Sequence, residues 1–169
     1  MSLFTKILTF LVFYFFAISN ATAENKVAYL DIDFLLSNTN VGKKVFLKLK
    51  ENENSKFNEF NIEEKKLKEE ENKILASKNI IAKDQLDQNI KNFKEKLKKY
   101  KNSKSREIDN LKKIRNEEIL ELLNLINPKI EKYMKENSIS ILLDKKNIFI
   151  ADKNYDITSD LIKLINQGN

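Results

Sequence analysis

Two groups of side chains in this 169-residue sequence have types and spacings that could act on another molecule. The first is a basic run. Between positions 91 and 115, eleven lysines and arginines stand against only Glu95, Glu107 and Asp109. Its densest part, Lys94, Lys96, Lys98, Lys99, Lys101, Lys104 and Arg106, would concentrate positive potential and speed the encounter with an anionic partner. The second group is aromatic: Phe57, Phe60, Phe93 and Tyr100, which could offer shallow apolar contacts to a flexible partner. Each group also has a plainer use. A run of lysines is often just a solvated helix face, and aromatics at helical spacing pack most simply between two helices. Asp31 and Asp33 are the closest thing to a carboxylate pair, but they lie in or beside a strand and read as structural.

The composition excludes most other chemistry. The chain has no Cys and no His. Thiol nucleophiles, disulfides, the common zinc sites and the usual general base are therefore absent. Gly42 and Gly168 are the only glycines, so no glycine-rich phosphate loop can form. We expect no enzyme, no metal site and no cofactor. The net charge is +6, carried almost wholly by Lys. Lys, Asn and Ile are all abundant and all have A/T-rich codons, so the position of the charge says more than its total.

Long helices must carry both groups. From about 42 to 135 there is hardly a helix breaker. The first helix is expected from Gly42 to Ala76, with a seam of Phe46, Leu49, Phe57, Phe60, Leu67 and Ile74. Glu53, Glu64 and Glu71 fill intervening seam positions, which makes a diluted coiled-coil stripe that should open at modest cost. "SKNIIAK" (77–83) is the expected reversal, with Asn79 able to take a left-handed turn. The second helix carries Leu86, Ile90, Phe93, Leu97 and Tyr100 at heptad spacing, then Leu111, Ile114, Ile119 and Leu122. Pro128 should kink or restart it. Arms of this kind would be roughly 50–80 Å long at about 1.5 Å per residue, too long for a compact domain of this size. The sparse end near 63–90 is the free tip, and the broad apolar stretch from Ile119 to Met134 is the end that packs.

The remaining pieces, 24–41 and 136–169, form a small body. "KVAYLDI" (26–32), Ile139–Asp144 and Asn147–Ala151 read as three short strands, the last two joined at Lys145-Lys146. "DITSDLIKLIN" (156–166) reads as a helix with Leu161, Ile162 and Ile165 on one face, capped by Asp156 or Thr158. The fold class is thus α+β: a small β-rich oligomerisation body with short helices, and a long antiparallel helical hairpin arm. So small a body is marginal alone, and three short strands leave open edges. Both problems are solved by a homo-oligomer joined through its strands, with Val27, Tyr29, Leu30, Ile141, Leu143, Ile148, Phe149 and Ile150 as the joining residues.

The first 23 residues have Lys6, an apolar run from Ile7 to Ser19 and Ala21-Thr22-Ala23, the pattern of a cleaved export signal. The run is shorter than the ~20 residues of a membrane span. We expect cleavage after Ala23, a mature chain of charge +5 after loss of Lys6, and a periplasmic location in a Gram-negative source. An exported protein does not meet the chromosome, so no nucleic-acid partner is expected.

Both ends of the mature chain resemble the Skp/OmpH family of periplasmic chaperones. "KVAYLDIDFLLSNTNVGKKVFLKL" matches the family opening at Val27, Ala28, Asp31 and Gly42. "ISILLDKKNIFIADKNYDITSDLIKLI" matches its close at Leu143, Asp144, Phe149, Asp156, Ile157 and Thr158, with Pro128 and Ile130 before it. The chain departs at Asn137-Ser138, where the family often has Gly and where Asn tolerates the same left-handed backbone, and at Ala82, where some members have a capping Ser. The resemblance implies a homotrimer whose arms enclose unfolded outer-membrane β-barrel proteins without ATP. In that setting the basic run would attract acidic clients, lipopolysaccharide or an anionic membrane surface. Composition alone fits an exported coiled-coil scaffold or adaptor equally well; breadth of binding to unfolded barrels separates the two.

Overall fold

In the computed structural model of the protein, residues 26–167 are described. The expected export signal lies outside them. The order is β1 (Lys26–Leu30), α1 (Ile32–Asn38), α2 (Asn40–Ser77), α3 (Lys83–Glu136), β2 (Ile139–Asp144) and α4 (Thr158–Gln167), with short 3-10 turns at Lys145–Asn147 and Lys153–Tyr155. β1 and β2 form a two-stranded parallel sheet, with Val27 opposite Ile141, Tyr29 opposite Leu143 and an irregularity after Lys26. A single bridge from Tyr29 to Asp156 extends the other side of β1.

Two long helices connect these strands. α2 has 38 residues and α3 has 54, which correspond to about 57 Å and 81 Å. Ion pairs join Glu53 to Arg115, Glu64 to Lys104 and Glu70 to Lys96. Numbers rise on α2 as they fall on α3, so the helices run in opposite directions. The extra length of α3 lies at its C-terminal end, where Leu122, Ile126 and Ile130 enter the core beside Ala28, Leu30, Leu35, Leu36, Ile157, Leu161 and Ile165. α3 passes unbroken through Pro128, so the expected restart does not occur. Pro128 sits on the exposed face between buried Ile126 and Ile130, and Asn124, whose carbonyl it cannot cap, is also exposed to water. Among the described residues no helix is long and apolar enough to cross a membrane.

The third expected strand, Asn147–Ala151, is absent. Asp144 accepts a hydrogen bond from the Lys146 N–H at 3.1 Å and starts a 3-10 turn instead. A tight two-residue hairpin needs positive φ in the turn, which Lys145-Lys146 does not supply. Ile148, Phe149 and Ile150 therefore stay out of the sheet. The left-handed residue is not Asn79, nor Asn137 at φ −104°, but Ser138 at φ 57°. It turns the chain from α3 into β2.

The motif residues at the chain ends are junction pieces. Asp31 caps α1 by accepting from the Phe34 N–H at 3.0 Å, and its own N–H donates to Thr158 Oγ1 at 2.9 Å. Asp156 accepts from the Thr158 N–H at 3.0 Å at the start of α4. Thr39, fully buried, closes α1 and caps α2 through the Gly42 N–H. Gly42 is needed for close approach: a Cβ there would collide with the Leu36 carbonyl and the Thr39 hydroxyl.

An alanine in a helix interior normally stabilises relative to Gly by about 0.5–1 kcal/mol. Gly42→Ala is expected to reverse that sign and destabilise by about 1–3 kcal/mol or more, the range for overpacking. The midpoint of urea unfolding checks it.

Candidate functional site

The arm between α2 and α3 holds most of the residues singled out from the sequence. On α2 only Leu49, Phe60 and Leu67 of the expected seam are buried; Phe46 and Ile74 are half-buried. Phe57 is 48% exposed and meets Phe60 edge-on at 6.1 Å, so it lies outside the seam. On α3, Leu86, Ile90, Phe93, Leu97 and Tyr100 are all half-buried, and the stripe continues through Lys104 to buried Leu111.

The seam acids are paired. Glu64 is bonded by Lys104 Nζ at 2.6 Å and by the Tyr100 hydroxyl at 2.8 Å. Lys104 also stands 5.4 Å from the centre of the Phe60 ring and 5.9 Å from that of Tyr100, close enough for cation–π attraction. Glu53 meets Arg115 at 3.4 Å. These positions do dilute the apolar stripe, as expected, but each also ties one helix to the other and sets their register. The heptad could have exposed Lys104 as a seam residue, since it follows Leu97 by seven and Tyr100 by four. The pairing itself was not readable without the register of the two helices. Glu71, the third seam acid, reaches only Lys68 on its own helix.

Beyond the Glu64–Lys104 clasp the seam is underfilled. α2 contributes Leu67, Glu71 and Ile74 against a larger apolar stripe on α3. A groove of about 420 Å³ remains, floored by Ile74, Leu75, Leu86, Ile90, Phe93 and Leu97, with Glu71, Lys78 and Lys94 at its margins. A second hollow continues it past Leu67 to Tyr100, Lys101 and Lys104. The tip residue Ile80 is 83% exposed.

The structure spreads the basic run around α3 instead of gathering it into one patch. Lys94 and Lys101 edge the groove, Lys96 and Lys99 edge the opposite polar side, and Lys98 stands near Lys91. Lys96, Lys104, Lys112, Lys113 and Arg115 have carboxylate partners. Among the described residues no ion pair is formed by Lys91, Lys94, Lys98, Lys99, Lys101 or Arg106, so the unneutralised charge sits on the distal half of α3.

In the body, Ala28 and Leu30 turn one sheet face to the core. The opposite face shows Val27, Ile141 and Leu143, all partly open to water. Tyr29 and Leu30 are buried within the chain, and Ile148 is half-buried. Phe149 and Ile150, in the segment after β2, are almost wholly exposed.

The Lys104 ammonium, and after it the Tyr100 hydroxyl, hold the Glu64 carboxyl below the usual carboxylate range. A carboxyl lowered on folding stabilises above its unfolded pKa, and the effect is lost as pH falls through the folded value. Glu64→Gln is expected to lower the stability of the arm near neutral pH. The gap to the unchanged protein should close below about pH 4, in the ordinary Glu range and under it. Urea titrations at pH 7 and pH 3 check this.

The family described as "Outer membrane protein (OmpH-like)" matches residues 26–165. No curated protein sequence is significantly similar. Among solved structures, that of a candidate outer membrane chaperone, OmpH-like, from Caulobacter crescentus CB15 is similar in fold. It superposes with a TM-score of 0.74 at 20% identity, covering 86% of each chain. The mostly helical architecture with its small parallel sheet is thus a fold already seen in that protein, and the match over nearly all the described residues places the chain in the OmpH-like family.

Proposed function

We propose that this protein is a periplasmic, ATP-independent holdase that binds unfolded outer-membrane β-barrel proteins and keeps them from aggregating. Bodies of three chains join, and their arms surround the client. Family membership supports the chaperone role, and the Caulobacter protein of the same fold is described in that way. The number three follows from the family resemblance.

The observation that carries the reading is the apolar surface that one chain leaves open at both ends. Isolated exposed apolar residues are normal, but contiguous ones mark an interaction surface. In the body these are Val27, Ile141 and Leu143 on one sheet face, with Phe149 and Ile150 in the segment that follows. Among the described residues β2 has one strand neighbour, β1, in a two-stranded sheet, and a sheet this narrow suits strand addition from a second copy. Burying a side chain such as Phe149 stabilises by roughly 1.5–3 kcal/mol, so several buried together would work against the cost of association. In the arm, half-buried α3 side chains offer many shallow contacts, and lysines without partners draw acidic segments. Shallow contacts release easily, as a chaperone lacking nucleotide chemistry requires.

Light scattering behind a sizing column tests the reading. Mature protein mixed with a urea-unfolded β-barrel and diluted into buffer is expected to give a soluble peak with the mass of three chains plus one barrel. Precipitated barrel with the protein eluting alone would instead favour an exported scaffold. Ile141→Asp, on the open sheet face, is expected to shift the client-free peak from three chains to one with the helical signal retained.

A further inference from the structure

The distal arm contains a feature that the chaperone reading does not by itself require. α2 is nearly all charge from Glu63 to Lys73, so it cannot fill the stripe that α3 presents to it. The result is an apolar groove within a single arm, between its two helices. It runs beside Leu86 to Leu97, a rise of about 16 Å. Its volume of about 420 Å³ falls within the usual range of ligand pockets, about 300–1,000 Å³.

We infer that this groove is a docking site for an extended peptide segment that carries apolar side chains on one face and carboxylates on the other. The inference rests on the holdase reading, since the segment would belong to an unfolded client. Three observations select this occupant. The length of the groove matches about five extended residues at ~3.3 Å each. Its margin carries Lys78 and Lys94, and its continuation Lys101, none of which has a carboxylate partner among the described residues. Those ammonium groups complement acidic side chains. Glu71 lines both halves of the groove. Bonded to Lys68 at 2.7 Å, its carboxylate keeps lone pairs that can accept from the backbone N–H groups of a strand, donors that an acyl chain lacks.

The arm's two helices thereby differ in role. α3 supplies most of the floor together with Lys94 and Lys101, while α2 adds Ile74 and Leu75 but has too little apolar surface to close the groove. A client strand entering beside Glu71 replaces the missing apolar residues of α2.

The test uses the full mature protein and two dye-labelled ten-residue peptides. One alternates Phe and Leu with Asp and Glu; the other has Lys in place of the acids. The acidic peptide is expected to bind, by anisotropy, and the Lys peptide to bind at least about fivefold more weakly. Lys78→Gln with Lys94→Gln, both on the surface, should weaken the acidic peptide roughly two- to thirtyfold and leave the urea midpoint unchanged. The chain has no Cys, so Ile90→Cys places a unique thiol on the floor, and the acidic peptide should slow its alkylation. Equal binding of the two peptides, no binding, or an unprotected thiol overturns the groove. So does protection by phosphatidylglycerol vesicles but not by the peptide, or protection that follows only protein concentration, which would mean a second copy. The unfolded-barrel experiment runs in parallel. A soluble barrel complex with a failed peptide result sinks the groove alone, and a failed complex sinks the holdase reading whatever the peptide does.

Discussion

Parallel strands cannot be joined by a tight turn; they need a crossover long enough to return to the same end of the sheet. Here the two strands come from opposite ends of the described chain, and the crossover between them is the whole arm. The pairing of Val27 with Ile141 and Tyr29 with Leu143 therefore closes a loop of more than a hundred residues. A small hydrophobic core holds the ends of that loop beside the sheet. α1 and α4 pack on one sheet face, and α3 lends Leu122, Ile126 and Ile130 from its last turns. Asp31, Thr39, Asp156 and Thr158 spend their side chains on backbone groups where these pieces meet. Loss of the sheet would release the roots of both arm helices together.

The arm follows a different logic. A two-helix seam with few apolar residues has weak register, because sliding by a heptad costs little burial. Acids on α2 placed opposite bases on α3 restore the register without adding much stability, since exposed ion pairs contribute little. The Glu64–Tyr100–Lys104 clasp is the clearest case, for it also covers Lys104 with the rings of Phe60 and Tyr100. On the body side of the clasp, Leu49, Leu111 and Leu122 give the seam a buried core. On the tip side only Leu67 is buried, and the seam opens. One arm is thus well specified near its root and incompletely packed near its tip. Segments with few buried contacts open at low free energy, and binding surfaces are drawn from them.

Such a division suits a molecule that must hold many chains and discard them. Apolar surface in the body is concentrated on one sheet face and in the segment that follows it, a form that suits a lasting contact. Apolar surface in the distal arm is half-buried and rimmed by lysine, which favours contacts that are many, shallow and sensitive to salt.

Much of this was legible in the sequence. The arm's extent follows from about ninety residues with hardly a breaker, and its two helices from heptads that stop at one reversal. The apolar stripe from Ile119 onward marked the packed end, and Asp156 or Thr158 the start of the last helix; Asp31 and Gly42 stood out only through the family resemblance. These are local signals of periodicity and capping, which depend on neighbours a few residues away. What the sequence could not supply was who meets whom across long separations. The third strand looked sound by composition, yet the Asp144 side chain turned the chain before it could pair. Pro128 looked like a kink or a restart, yet α3 runs through it with Pro128 and Asn124 on the wet face, where water can bond the freed carbonyl. Glu53 and Glu64 looked like flaws in a stripe, yet they face Arg115 and Lys104 once the two helices are set in register. That register, and the groove left where α2 is too polar to fill it, exist only when residues forty or more apart come together, and only the tertiary structure decides that.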